Sequence, residues 1–417
     1  MRALILLLSP ALLCAQSGDW LITVTVFGQP NYQRSQLVFE GDKVTGQAGS
    51  LRLEGTVHDG HVEMEAKLPN GNPAGKLSGT IADGEMKGTG LRGTDPVEFT
   101  AHRVKERPGP PQTHQFTPTI FYNYFNSSAP PVLTIFPRDT VESWSVDAGG
   151  TDAQGKRRSP GGNPLTGPFY VEGALPGDTL SVHFTRIRLT RDSAGSGQRV
   201  SPNALEPRYL AQQKDVQNFD STWTLDRQGG QARLTKPSEK LKDYRVPMKP
   251  MLGCVGVAPP QQQSLRSGYL GTFGGNMDYN GLVEGTTVYL PVYQPGALLY
   301  VGDGHAAQGD GELTGDALET STEWTFTVDV IHHSIAQPRF ENAEYWMASG
   351  IANSLPEALQ AATTNLSRWL EEEYKLNPAE IGIVLGTGLR YEVAELVDPE
   401  IHVVAKIAKS LLAPIGK

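Results

Sequence analysis

The chain has 417 residues, a formal net charge of −9 and an ordinary globular share of apolar residues once its 46 glycines are counted with them. That length allows two or three domains, and the composition excludes wholesale disorder. An acidic surface repels a phosphate backbone, and the longest basic run, Lys156-Arg157-Arg158, is too short to reverse that, so nucleic acid is excluded as a partner.

Residues 1–16 have the layout of a secretory signal peptide. One cation, Arg2, precedes an apolar run that continues to Leu13, and Gln16-Ser17-Gly18-Asp19 closes it. The run is too short to cross a bilayer, and no later window nears the roughly 18 apolar residues a spanning helix needs. An exported protein, periplasmic or secreted, is therefore expected, and not an integral membrane protein. Cys14 makes a lipid anchor the rival reading, against which stands Leu13, where a small residue is expected. Loss of the leader leaves Cys254 as a lone thiol, which forms no internal disulfide.

Residues 17–104 read as a small antiparallel β module. Leu21 to Phe27, Ser35 to Glu40, Leu51 to Val57 and His61 to Ala66 alternate with a period of two. Tight-turn signals separate them at Gly41-Asp42, Asp59-Gly60, Asn70-Gly71 and Asp83-Gly84. A meander follows most simply, curled into a small barrel or sandwich, and it carries no cluster of metal ligands. Residues 105–112 hold three prolines and form a stiff linker, which sets a domain boundary.

From 113 to about 340 the pattern stays strand-like, at 131–136, 179–184, 286–293 and 324–330. Residues 191–250 turn polar and irregular, which predicts a long excursion over the active face. The C-terminal end changes character. Ser354-Leu355-Pro356-Glu357 is a capping box opening a helix to about Tyr374, with Leu355, Ala358, Leu359, Ala362, Leu366 and Trp369 at helical spacing. Asn377-Pro378-Ala379-Glu380 starts a second helix, and Asp398-Pro399-Glu400 is expected to start a third, running to about Leu412. The fold class is mainly β with an α/β C-terminal part, its helices within 354–412.

Chemistry concentrates in two segments, Gly274-Gly275-Asn276-Met277-Asp278 and Gly302-Asp303-Gly304-His305-Ala306-Ala307-Gln308-Gly309-Asp310-Gly311-Glu312. Asp303 and His305, two apart, share one face of an extended segment. A carboxylate and an imidazole there suit a dication such as Zn²⁺; Asp278 can add an oxygen, and Glu312 is the candidate base that activates water. Isolated D-G turns are common in plain hairpins, but this density of functional groups is not. Cys254 as nucleophile is the weaker design, because its apolar neighbours raise a thiol pKa. There is no G-x-S-x-G elbow, His332 and His333 face opposite ways on a strand and do not readily serve one site, and His114 and His102 are weak candidate ligands.

The two segments resemble hallmark strings of the acetamidase/formamidase family. So do Pro130 to Ile135, Val146-Asp147-Ala148-Gly149-Gly150, Gly167 to Leu180 and Gly253 to Pro259, so that the resemblance spans roughly residues 115–410 in matching order. It implies a β-sandwich or barrel body over 113–417 that hydrolyses a short-chain linear amide, such as formamide or acetamide, to carboxylate and ammonia. It also implies a divalent metal, zinc first and calcium as the alternative, with Asp278, Asp303, His305, Asp310 and Asp147 as candidate ligands. Glu312 would then be the base, and Asn276 or Gln308 would donate to the oxyanion; which carboxylates bind metal and which move protons stays open. The partner is a small amide, and a homodimer is compatible with it. Gly304 replaces a bulkier apolar residue often found there, which predicts a looser pocket floor. The N-terminal module and the leader are outside the family pattern. They support a second reading, a catalytically weak relative acting as a binding or structural protein through that module.

Overall fold

The computed structural model describes residues 17–213 and 220–416, and the expected leader with its Cys14 lies outside them. The chain divides into two compact units, residues 1–108 and 109–417. In the first, eight strands run β1 Gly18–Val26, β2 Gln29–Glu40, β3 Lys43–Ala48, β4 Leu51–His58, β5 His61–Lys67, β6 Pro73–Ala82, β7 Glu85–Arg92 and β8 Asp95–Arg103. Each pairs antiparallel with the next, and β8 returns to β1, closing a barrel. The Asp59-Gly60 and Asp83-Gly84 turns have positive φ at both residues, which matches the twist of the flanking strands. Inward positions alternate along each strand, so Trp20, Leu37, Phe39, Val57, Val62 and Phe99 fill the interior.

Residues 104–112 carry no helix or strand. The second unit is a sandwich of two larger sheets. One has six strands in the order Leu133–Ile135, Leu165–Val171, Leu299–His305, Met251–Gly256, Gly274–Asn276 and Leu270–Gly271. The other has nine strands, among them Thr179–Leu189, Thr287–Pro291, Thr322–Ile331 and Tyr345–Ala352. Their facing sides bury Phe169, Val255, Leu299 and Val301 against Val182, Phe184, Leu290 and Phe326. At 25 cal/mol per Å² of apolar surface, each such side chain contributes roughly 1.5–3 kcal/mol.

The helix Leu355–Tyr374 begins where the capping box puts it: the Glu357 amide donates to Ser354 Oγ. It buries Ala358, Ala362, Leu366, Trp369 and Leu370 on the nine-stranded sheet and leaves Leu355 and Leu359 exposed. Asn377 and Glu380 cap the helix Pro378–Gly388 reciprocally. The third expected helix is corrected. Residues 401–408 form an inner strand of the nine-stranded sheet, second from one edge, and only Lys409–Leu412 in this stretch is helical. Ile401, Val403, Val404 and Ile407 are β-branched residues sandwiched between core and helix, and that burial outweighs the local helix-start signal at Asp398. The polar stretch 191–250 also carries a small sheet, Ser193–Gly195, Thr222–Asp226, Gln231–Leu234 and Val246–Pro247. Its Trp223, Leu225 and Leu234 pack on Ala306, Ala307 and Leu318 and so brace the loop that follows His305. Among the described residues no helix is long and apolar enough to cross a membrane.

Candidate active site

Three strands of the six-stranded sheet set the site. Met251–Gly256 pairs with Leu299–His305 on one side and with Gly274–Asn276 on the other, placing Cys254 opposite both Gly302 and Asn276. Asp303 and His305 therefore lie next to Asp278, which follows the third strand. Gly253 permits this convergence, because a Cβ there would sit 2.3 Å from Asp278 Oδ1 and 2.5 Å from Asp303 Oδ2. Asp278, Asp303 and Glu312 all have left-handed φ, at 40°, 58° and 43°. Each such residue costs of order 1–3 kcal/mol, and all three turn a carboxylate toward one point.

His305 Nε2 lies 3.2 Å from Glu319 Oε1, 3.5 Å from Asp303 Oδ2 and 3.9 Å from Asp278 Oδ1. Three overlapping sets have their donor atoms within 4.8 Å of one another: Asp278–His305–Glu312, Asp303–His305–Glu319 and Asp278–Glu395–Asp398. Both carboxylate oxygens of Asp278, one each of Asp303, Glu319 and Glu395, and His305 Nε2 are buried without a well-aligned hydrogen bond. Buried polar atoms are rarely left so, and a converging group of them fits a cation.

Gln308 fixes the ring. His305 Nδ1 lies 2.9 Å from Gln308 Oε1, an oxygen that can only accept, so the ring donates from Nδ1 and turns Nε2 to the acids. The Gln308 amide is in turn held by donation to the carbonyls of Asp278 and Ala394. Both of its hydrogens are thereby committed, which corrects the expectation that Gln308 serves as an oxyanion donor. Asn276 donates to Asp398 Oδ2 at 2.6 Å and accepts from Asn163, which also donates to Asp303 Oδ2 at 3.2 Å. The Ala317 amide is shared between Glu312 Oε1 and Glu319 Oε1, both at 2.9 Å.

The crowding of negative charge governs the electrostatics. Burial, and after it the Asp303 charge, pushes the Asp278 carboxyl well above the usual range. Burial and the Asp278 charge do the same to Glu312. Burial raises Glu319 to about 7 against the pull of His305, and burial with Glu395 raises Asp398 to about 7. Burial opposes a charge on His305, but Glu319 and Asp303 outweigh it and hold the imidazole well above its ordinary value. Like charges this close cannot all ionise without a counterion; the ring proton supplies one positive charge, and a dication would supply more.

Two expected ligands lie elsewhere. Asp310 is exposed and accepts from Asn280 Nδ2 at 2.8 Å, because the short turn 310–312 points it outward while Glu312 goes in. Asp147 is ion-paired with Arg191 and accepts from the Thr151 amide at 2.8 Å. Gly304 does not loosen the floor: a Cβ there would meet Thr322 Cγ2 at 2.4 Å, so threonine fills the space. Cys254 is buried, and burial together with Asp303 and Asp278 holds its thiol well above the ordinary value, which is inert rather than nucleophilic. His332 faces Asp178 and His333 faces Glu372, while His114 faces Asp139. Sequence reasoning missed Glu319, Glu395 and Asp398. Glu319 carried a signal, seven residues beyond Glu312, but Glu395 and Asp398 arrive only through the pairing of the strands Arg390–Glu395 and Ile401–Ala408.

A cavity of about 420 Å³ opens over the cluster, walled by Asn163, Asn276, Asp303, Glu312, Glu319 and Asp398. Arg266 stands on its rim and makes no ion pair among the described residues. A second cavity of about 910 Å³, with Trp223, Tyr244 and Met248 in its wall, meets the first at Glu312 and Asp316.

The sequence profile of the Acetamidase/Formamidase family matches residues 271–371. A formamidase of Methylophilus methylotrophus is 29% identical over 197 residues, 36% of this chain and 47% of that one. A putative formamidase of Schizosaccharomyces pombe is 37% identical over 224 residues, 43% of this chain and 55% of that one. The chain thus spans about half the length of the curated relatives it matches. The crystal structure of an acetamidase from Yersinia enterocolitica aligns with a TM-score of 0.62 at 28% identity, covering 73% of this chain and 94% of that one. A predicted acetamidase/formamidase from Thermoanaerobacter tengcongensis aligns at 0.61 and 26% identity, over 73% and 98%.

Proposed function

We propose that this chain, whose matches to formamidases and acetamidases point to the acetamidase/formamidase family, is an amidohydrolase converting a short-chain linear amide and water to carboxylate and ammonia. The observation that carries this reading is the set of unpartnered buried atoms, on Asp278, Asp303, Glu319 and His305, converging under an open cavity. Its donor set of carboxylate oxygens and one imidazole nitrogen fits a divalent cation, zinc or calcium. Asp278, Asp303, His305 and Glu319 would hold it, with Glu395 and Asp398 behind. When bound, such an ion supplies Lewis acidity and lowers the pKa of water toward about 7.

The protein's own groups do the rest. Glu312 lines the cavity, and its raised proton affinity suits a general base. It takes a proton from the attacking water as the C–O bond forms and returns it to the nitrogen as the C–N bond breaks. The second hydrogen of the Asn276 amide, the first being on Asp398, is the side-chain donor for the developing oxyanion. Acidic walls repel the carboxylate product and so favour its departure, and Arg266 at the rim meets it on the way out.

Ammonia release from a panel of small amides, before and after chelation, tests the proposal. Activity is expected to vanish on chelation and to return with Zn²⁺ or Ca²⁺. No ammonia from any amide would leave the second reading, a binding protein. Export to the periplasm or beyond belongs to the proposal too. It rests on residues 1–16, and N-terminal sequencing of the mature protein should find a chain starting near Gln16.

A further inference from the structure

The barrel of residues 18–103 is filled at one end and hollow at the other. Trp20, Phe39 and Phe99 are almost wholly buried and occupy the filled half. The hollow half encloses about 210 Å³, with a wall to which all eight strands contribute, chiefly Ile22, Val24, Leu53, Ala66, Leu77 and Val97. Eight-stranded barrels are just wide enough either to pack solid or to hold one small ligand. A dry cavity of roughly 150 Å³ already admits benzene, so this one has room for a chain of roughly six to eight carbons.

Four polar side chains interrupt the apolar wall, Asn31, Gln33, Lys76 and Arg92, and Asn31 is engaged locally, donating to Val24 O at 3.4 Å and Gln29 O at 3.3 Å. Gln33, on the inward-facing series of β2 that runs to Leu37 and Phe39, lines the cavity, and its side chain has no hydrogen bond among the described residues. Arg92 stands at the rim on the inward series of β7, after Met86, Gly88 and Gly90, and makes no ion pair among the described residues. By contrast Lys76, also at the rim, lies 3.6 Å from Glu65. Leu68 and Leu91, 39% and 47% exposed, complete an apolar lip beside Arg92. An apolar bore with an amide on its wall and an unpaired guanidinium at its mouth selects a molecule with a hydrocarbon tail and an anionic head.

We propose that the N-terminal barrel binds one medium-chain carboxylate, tail inward and carboxylate on Arg92, at a site separate from the amide-hydrolysing centre. Calorimetric titration of the full metal-loaded chain with octanoate tests this. One octanoate per chain is expected, with 1-octanol binding at least tenfold more weakly. Ala66→Trp, which fills the bore, should weaken octanoate at least tenfold and leave amide hydrolysis unchanged. Arg92→Ala, an exposed position that keeps the fold, should reduce octanoate affinity about tenfold and leave that of octanol alone. Should Ala66→Trp fail to fold, the Arg92 variant carries the test. No binding to the intact chain, octanoate affinity undiminished in both variants, or octanol binding as tightly as octanoate would each overturn the proposal. Failure of amide hydrolysis would not touch it.

Discussion

Glu312, the base we propose, shows how backbone and surroundings set the position of a single carboxylate. Its backbone sits at φ 43°, an unfavourable conformation for a side chain with a Cβ, and so its carboxylate points back under the cavity while Asp310 points out. Burial and Asp278 raise its proton affinity, and the Ala317 amide anchors one oxygen. Glu312→Gln keeps the shape and that hydrogen bond but accepts no proton. Amide turnover is expected to drop by roughly 10²–10⁴-fold with the thermal unfolding midpoint nearly unchanged; an unaltered rate would remove Glu312 from the role. Gln308 shows the opposite case. Its spacing from His305 was legible, yet which of its atoms were free depended on the carbonyls of Asp278 and Ala394, which no local pattern reveals.

Among the elements, the long helix and the strand beneath it meet at Gly350. A Cβ there would lie 1.9 Å from Ala358 O and 2.2 Å from Ala362 N, backbone atoms that cannot swing aside. Gly350→Ala should therefore push the helix off the sheet and cost about 1–3 kcal/mol in urea unfolding. Gly386→Ala, on the helix Pro378–Gly388 with open space around it, should instead be neutral or stabilise by about 0.5–1 kcal/mol. Equal effects of the two would deny the close approach. Capping and turn chemistry wrote the starts of both helices and the barrel hairpins plainly, because these are contacts between residues a few positions apart. The strand at 401–408 was not legible, since its identity comes from Tyr345–Ala352 beside it and the helix above.

For the molecule as a whole, the site trades stability for charge. Glu319 and Asp398 titrate near 7 in the folded metal-free protein, above their usual carboxylate values. A raised carboxylate binds its proton more tightly in the native state. Its stabilising contribution is therefore complete below about pH 4 and lost as pH rises through about 7. The metal-free protein should melt at progressively lower temperature from about pH 5 to 8, whereas a form loaded with the proposed dication, whose acids would have to be ionised, should release metal as pH falls through about 7. Calorimetry of both forms across that range checks this, and parallel curves would refute it. The two signature segments announced Asp278, Asp303, His305 and Glu312 because they are neighbours in sequence. Glu319 was within reach of the same reading, and the second acidic layer was hidden by distance along the chain.

The barrel's seam sets Trp20 of β1 opposite Arg103 of β8. Its hairpins can form as soon as each pair of strands exists, but the last ladder requires the two ends of the module to find each other, a slow, entropy-limited step. Until then two rows of unpaired amides and carbonyls lie open to other chains. A nascent or truncated product ending before Arg103 would accordingly be sticky, and safe handling of this protein in the cell depends on delaying aggregation until that final strand is available.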